Sequence, residues 1–331
     1  MLVAALASIP LIMIVVNGRR ALEGILWQEK PMPEIVSEAS SYYPEITFGV
    51  YDPKAAHQGN DLFGLEMVYL SWLQTYDHDM LVTLRDIHAA GRQAIITVEP
   101  WNKDDRTGGE LLTAIADGTY DEEIDRVVDL LNDYGEDVLI SFGHEMDQQL
   151  AERYPWSGIF PSEFQEAYRY FWKRVEGSVV QEVSWIWAPV VQPNCTDFWP
   201  GDDYVDIIGM PIYSCPEWDR GYYGYIRSFE STMAEKIQHV KRLQKPIMIV
   251  EFGVTGGPYY EHYWLQEAFQ GFGQVPGIQS VVFFQSADTD GAWGSDLGTP
   301  NWHVDEALLS GMVSWYQQQA AMADSPQEAS F

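Results

Sequence analysis

The sequence predicts an α/β fold, a single (β/α)8 TIM barrel, and three observations point there. Short apolar runs rich in β-branched and aromatic residues recur eight times beyond residue 45. Most of them alternate with stretches whose apolar residues return at helical spacing. Strands apolar along their whole length are buried on both faces, as in a parallel sheet covered by helices. Eight such units in about 290 residues suit a closed barrel better than an open sheet.

Taken in order, the expected strands begin with "ITFGVY" (46–51) and "LEMVYLSW" (65–72), the second followed by a helix over Asp79–Ala90. "QAIITVEPW" (93–101) leads to a helix over Glu122–Tyr134, and "DVLISFGHE" (137–145) to one over Glu163–Val175. "VSWIWAPV" (183–190) is followed by "VDIIGMPIY" (205–213) and a helix over Thr232–Leu243. "KPIMIVEFG" (245–253) and "IQSVVFFQS" (278–286) precede helices over Tyr260–Phe272 and Val304–Trp315. The first and fifth connections carry little helical signal. The barrel is assigned to residues 46–318, with a disordered tail over 319–331.

Ahead of the barrel, "LVAALASIPLIMIVV" is continuously apolar and is followed by Arg19 and Arg20. Residues 1–20 read as an anchor or signal-like segment. The run is short for a spanning helix and lacks a basic stretch before it. A membrane anchor is favoured; an atypical signal and the end of a longer membrane region stay open. Residues 21–45 read as a linker, with Pro31, Pro33 and Pro44 among serines.

Composition excludes some partners. With 49 acidic against 19 basic residues, a nucleic acid would be repelled, and a neutral or cationic ligand is expected. Cys195 and Cys215, the two cysteines, build no disulfide framework; a bridge between neighbouring loops and two free thiols are both open.

In a barrel of this kind chemistry sits at the C-terminal strand ends. His144 and Glu145 sit there, directly after "VLISFG", as do Glu99, Tyr213, Glu251 and Gln285 after their own apolar runs. Asp137, Glu182 and Asp206 open their strands and are assigned to the opposite face. Carboxylates ending strands four and seven face each other across the mouth. Glycosidic bond cleavage needs such a pair, one to protonate the leaving oxygen and one to attack or stabilise the sugar cation. His144 and Tyr213 are suitable partners for driving the two pKa values apart. One strand-end glutamate is as well explained by a rim salt bridge; two, attended by a histidine and a tyrosine, favour chemistry. The position four after His144 is Gln148, so there is no HExxH zinc motif, and no metal or cofactor is implied. Phosphate-binding loops and the GxSxG elbow are missing too.

"GHEMDQQLAERYPW" resembles the "HEMN…W(Y/F)PW" segment of glycoside hydrolase family 26, and "KPIMIVEFGVTGG" resembles its "KPI…SEFG" strand. "WPGDDYVDIIGMPIY" and "VSWIWAPV" are similar to that family's "YPGDEYVDWVG…Y" and "V.WVWSP". The resemblance runs from about Phe48 to Trp293. It implies a retaining mechanism with Glu145 as acid/base and Glu251 as nucleophile. It further implies that His144 orients the acid/base and the substrate, that Tyr213 hydrogen-bonds the nucleophile, and that Trp156 and Trp293 stack on sugar rings. Glu99, Trp101, Tyr154 and Asp147 complete the expected substrate-binding set, whereas Trp72 and Trp187 are as well explained by packing. Two departures stand out: Asp147 replaces the family's Asn, and Ser141 an Arg.

The expected reaction is endo-hydrolysis of a β-linked polysaccharide, with mixed-linkage β-1,3-1,4-glucan slightly favoured over β-1,4-mannan. A non-catalytic polysaccharide-binding barrel serving synthesis or export is the alternative. Such a polymer lies outside the cytoplasm, so an extracytoplasmic monomer, tethered or secreted, is expected, although arginines after the apolar run would place the domain inside.

Overall fold

The computed structural model describes residues 43–73, 78–148, 153–293 and 298–323. The expected anchor, residues 1–20, and nearly all of the linker lie outside the described residues. Among the described residues no helix is long and apolar enough to cross a membrane.

Eight strands pair in sequence order, all parallel: β1 (Thr47–Tyr51), β2 (Leu65–Ser71), β3 (Gln93–Glu99), β4 (Val138–Phe142), β5 (Val183–Trp187), β6 (Ile207–Ser214), β7 (Ile247–Val254) and β8 (Ile278–Phe284). β8 closes on β1 in register from Thr47 against Ser280 to Tyr51 against Phe284. The sheet therefore has no free edge. Six of the strands fall within the apolar runs that predicted them, and β6 and β7 each extend one residue further, to Ser214 and Val254.

The helices are α1 (His78–Ala89), α2 (Gly108–Ala116), α3 (Asp121–Tyr134), α4 (Pro161–Glu176), α5 (Pro216–Tyr223), α6 (Phe229–Val240), α7 (Pro258–Gly271) and α8 (Glu306–Ala323). Sequence reasoning misses α2 and α5. The first opens on two glycines, poor helix formers. The second buries only Pro216 and Asp219, so it has no apolar stripe to detect. The expected tail begins too early, because α8 continues to Ala323. At the other end Tyr43, read as linker, packs edge-on against Trp315 and Tyr316 of α8.

Alternation along the strands separates two cores. Leu65, Met67, Ile95, Leu139, Met248, Val250 and Val282 fill the barrel interior. Outside it, aromatic residues seat the helices: Phe48, Phe269 and Phe283 stack within 6.0 Å of one another, with Tyr316 against Phe48. At the strand starts, Asp206 accepts from the Trp185 amide and Asp137 from that of Glu182, which puts these acids to structural use at the face opposite the mouth. Cys195 and Cys215 are both buried free thiols.

As the sequence suggests, the first and fifth connections contain no α-helix; the fifth has only the short turns Cys195–Phe198 and Asp202–Tyr204. A polar staple secures the first. Arg92, 2% exposed, donates to Glu66 at 2.6 Å and to the carbonyls of His57 and Asn60, while Asp52 accepts from the amides of Ala56 and His57. Arg92→Met strands the Glu66 carboxylate and frees two loop carbonyls. Breaking a buried pair from one side costs about 3–5 kcal/mol, so a matching drop is expected in urea unfolding.

Candidate functional site

The mouth is built from four strand ends. β4 stops at Phe142, and the backbone turns inward through Gly143 (φ 59°) and Glu145 (φ 53°). A side chain on Gly143 would press on Phe164 at 3.2 Å and Trp156 at 3.4 Å. The turn is pinned from three sides: Gly143 N–H donates to the Val98 carbonyl, Glu145 N–H to the Ala188 carbonyl at 2.7 Å, and Trp156 Nε1 to the His144 carbonyl at 2.8 Å. A non-glycine residue at positive φ is strained, and here it carries a carboxylate.

Glu251 reaches the mouth by a different route. In β7, Met248 and Val250 face the interior and Ile249 and Phe252 face the helices. The pairing shifts by one residue on both sides: Met210 and Pro211 oppose Ile249 and Glu251, and Ile249 and Phe252 oppose Val281 and Phe283. This bulge lets Val250 and Glu251 both line the interior cavity, which they share with His144 and Glu145. Tyr69 of β2 and Tyr213 of β6 donate to the two oxygens of Glu251, at 2.8 Å to Oε1 and 2.7 Å to Oε2. Gly253 makes room for this, because a Cβ there would lie 2.7 Å from the Tyr213 ring.

The two carboxylates differ in their hydrogen bonding. Burial raises the pKa of both. For Glu251 the two phenol donors oppose that rise. Glu145 has no such support: its Oε2 is buried without a partner among the described residues, and burial lifts its pKa to about 7, opposed by Arg153 and reinforced by Glu251 and Asp147.

The structure brings most of the expected residues together and reassigns several. Tyr213 bonds Glu251 as expected. His144 does not bond Glu145; its Nε2 pairs with the Tyr154 hydroxyl at 3.1 Å, inside a ring of Tyr69, Tyr154 and Trp156. Burial, with Arg153, pushes the His144 pKa down to about 3, so the ring is neutral. Trp156 is fully buried, stacked on Tyr154 at 4.7 Å, and has no face open to a sugar. It is a packing residue beneath the mouth. Trp101 is half-buried above it, with Nε1 on Glu99 at 3.1 Å. Burial, with Glu251 nearby, raises the Glu99 pKa against that bond. Trp293 is half-buried beside Tyr213.

Asp147 is also corrected. It is wholly buried and accepts from the amides of Val190 and Gln192, both at 2.7 Å. Between them Val191 stands at φ 66°, held there by this clamp and by Lys236, which donates to the Val190 carbonyl at 2.6 Å. Asp147 thus shapes the connection behind Glu145 and does not face the cavity. Trp72 and Trp187 are packed in the core. Gln285 is likewise structural, accepting from the Val304 amide.

Sequence reasoning overlooked Tyr69 and Arg153. Tyr69 shares its parity in β2 with inward Leu65 and Met67, a signal available from alternation alone. Arg153 stands where the quoted family pattern carries a tryptophan before "YPW". It contacts Asp288 at 3.5 Å and lies over the Tyr154 ring at 5.2 Å. Arg153 follows β4 and Asp288 follows β8, on opposite sides of the barrel, so their contact crosses the mouth. Burial opposes its charge, but Glu145, Tyr154, Asp288 and Glu251 together raise its pKa.

Two outcomes follow. Glu145 has a folded pKa of about 7 against an ordinary 4.5, so between those values the native state keeps a proton that the unfolded state has released. Stability then falls as pH rises through that window. Glu145→Gln, which mimics the protonated acid, is expected to exceed the parent by on the order of 3 kcal/mol in urea unfolding at about pH 8 and to match it near about pH 4. Separately, Tyr69→Phe and Tyr213→Phe each remove one donor from Glu251. Each should raise the carboxyl titration followed by carbon NMR by roughly one unit.

The fold and the sequence both have known relatives. Residues 115–266 match the family model "Glycosyl hydrolase family 26". Beta-1,3-xylanase TXYA of Vibrio sp is 25% identical over 114 residues, which cover 32% of this chain and 24% of that protein. Endoglucanase H of Acetivibrio thermocellus is 23% identical over 225 residues, 62% of this chain and 23% of that protein. The chain thus spans about a quarter of the length of these curated relatives. Among solved structures, the catalytic domain of the Bacillus sp. JAMB-750 GH26 endo-beta-1,4-mannanase superposes with a TM-score of 0.59 at 16% identity, covering 83% of this chain and 86% of that one. That likeness shows the barrel fold. The family match runs from α2 to α7 and takes in both β4 and β7 with the glutamates at their ends, so this stretch, a little under half of the chain, is similar to glycosyl hydrolase family 26.

Proposed function

We propose that this barrel is a retaining endo-glycoside hydrolase that cleaves a β-linked polysaccharide by double displacement on Glu251 and Glu145. The observation that carries the proposal is the unequal treatment of two buried carboxylates in one cavity. Glu251 holds two phenol donors that favour its ionised form, as a nucleophile requires. Glu145, with a pKa of about 7 and an unpartnered oxygen, holds its proton when substrate arrives, as a general acid requires.

In the first step a Glu251 oxygen bonds the anomeric carbon while the glycosidic bond breaks, and the Glu145 proton passes to the leaving oxygen. Tyr69 and Tyr213 hold the attacking carboxylate in line. In the second step Glu145, now ionised, takes a proton from water, whose oxygen displaces Glu251 from the sugar. Arg153, close to both carboxylates electrostatically, offsets the negative charge left when Glu145 has given up its proton. Neutral His144 supplies no competing cation.

The related proteins act, by their names, on β-1,3-xylan, on glucan or on β-1,4-mannan. We favour mixed-linkage glucan slightly over mannan, on the "YPW" and "TVEPW" segments. A polymer of that size is met outside the cytoplasm, and we place the domain there, tethered through residues 1–20 or secreted.

The test is reducing-end release from barley β-glucan, galactomannan and β-1,3-xylan by the full chain. Cutting of one polymer is expected, reduced to background by Glu251→Ala and by ~10²–10⁴-fold by Glu145→Ala. The rate should also decline above about pH 7 as Glu145 loses its proton. Binding of a polymer with no release of ends would replace hydrolysis with a non-catalytic polysaccharide-binding role.

A further inference from the structure

A line of aromatic rings leaves the mouth and runs out along α5. It begins at Tyr213, whose hydroxyl is on Glu251, and meets Trp293 at 5.8 Å between ring centres. Trp293 meets Trp218 edge-on at 5.3 Å, and Trp218 stacks on Tyr222 at 4.7 Å with the planes 10° apart. Tyr223 continues it at 4.8 Å from Tyr222, and Tyr225 lies 6.3 Å beyond. Tyr222 is 71% exposed and Tyr225 60%.

The arrangement is braced from below. Asp219 is 1% exposed and accepts from the Arg227 amide at 3.0 Å and from Arg227 Nε at 3.2 Å. That guanidinium lies 4.0 Å over the Tyr223 ring and 5.9 Å over Trp218. The start of α5 is seated on the β7–α7 connection, where a Cβ on Gly256 would lie 2.8 Å from Pro216. A buried carboxylate and a stacked arginine therefore hold in place rings that contribute little to the core. Of the residues of α5 only Pro216 and Asp219 are buried, and the helix, "PEWDRGYY", presents rings and charges with no aliphatic residue among them. Flat rings with phenolic hydroxyls suit the C–H faces and hydroxyls of sugars, and these rings continue from the mouth through Trp293 and Tyr213.

We propose that this α5 ladder is an accessory track for a neutral β-linked glycan, binding sugar units beyond those gripped at the two glutamates, on the β6 side of the mouth. The proposal rests on the hydrolase reading for its ligand class, and its geometry is continuous with that site through Tyr213. The protein's net charge of −30 disfavours an acidic glycan, and the uncharged ring faces of the ladder favour a neutral one.

The test compares the full chain with Tyr222→Ala, whose exposed ring can be removed without unfolding, and with the double variant Trp218→Ala/Tyr222→Ala. Retardation in native gels containing barley β-glucan, galactomannan or β-1,3-xylan reads binding; kcat/KM on each polymer and on its trisaccharide reads catalysis. Two lost stacking contacts correspond to roughly a tenfold loss. The double variant should lose about tenfold in retardation and in polymer kcat/KM, and Tyr222→Ala a smaller part of it, while trisaccharide cleavage stays within about twofold. Equal losses on polymer and trisaccharide, or no loss on either, overturn the track. A parent protein that is retarded but cuts nothing, and loses retardation in the variant, keeps the track and removes the hydrolase reading. A parent that cuts a polymer as well as the double variant does the reverse, and no retardation on any of the three polymers overturns the track.

Discussion

Strand β7 carries one residue more than its neighbours between Ile249 and Phe252, and the mouth is arranged around that surplus. Strict alternation would send Glu251 outward with Ile249, into the aromatic layer beneath the helices. There an ionised carboxylate would face a desolvation penalty with no donor in reach. The bulge turns it inward, where β2 and β6 each present a phenol at the same height. Those two strands are far apart in sequence, so the correct bulge is supported only once the barrel has closed. Local strain and global topology are thereby tied together at one residue.

The charge balance of the mouth follows from the same geometry. Glu99, Glu145, Glu251 and Asp288 lie close enough to perturb one another or Arg153, on a chain that is already strongly acidic. Arg153 is the cation placed among them. On the far side of Glu145, Lys236 plays a quieter part: its ammonium holds the Val190 carbonyl, and burial depresses its pKa to about 8 against the pull of Asp147 and Glu145. Two cations thus flank Glu145, one above the mouth and one behind the fifth connection. Its proton affinity is the result of burial working against both.

Much of this was legible in the chain itself. The strands could be read because a parallel sheet buried on both faces leaves unbroken apolar runs, and Glu145 and Glu251 could be read as polar residues at the ends of such runs. The bulge could not, since alternation in "IMIVEFG" argues against an inward Glu251. Trp156 was misassigned for a related reason: an aromatic just past a strand end looks the same whether it lines the mouth or packs beneath it, and the Gly143 turn decides which. Asp147 resembled a sugar ligand because its partners, two backbone amides of the fifth connection, leave no trace in side-chain identity. Helix α5 escaped because periodicity detects burial, and α5 is organised around exposure.

The left-handed backbone at Glu145 bears on how this chain can drift over evolutionary time. Glycine or asparagine would sit there with less strain, and either would also remove a buried ionisable group. Both changes would favour the folded state, so stability alone pushes this position away from glutamate. On the hydrolase reading proposed above, what the carboxylate does opposes that push. On that reading, descendants that lose their substrate should surrender this residue early, while Tyr213 and the bulge, embedded in packing, would outlast it.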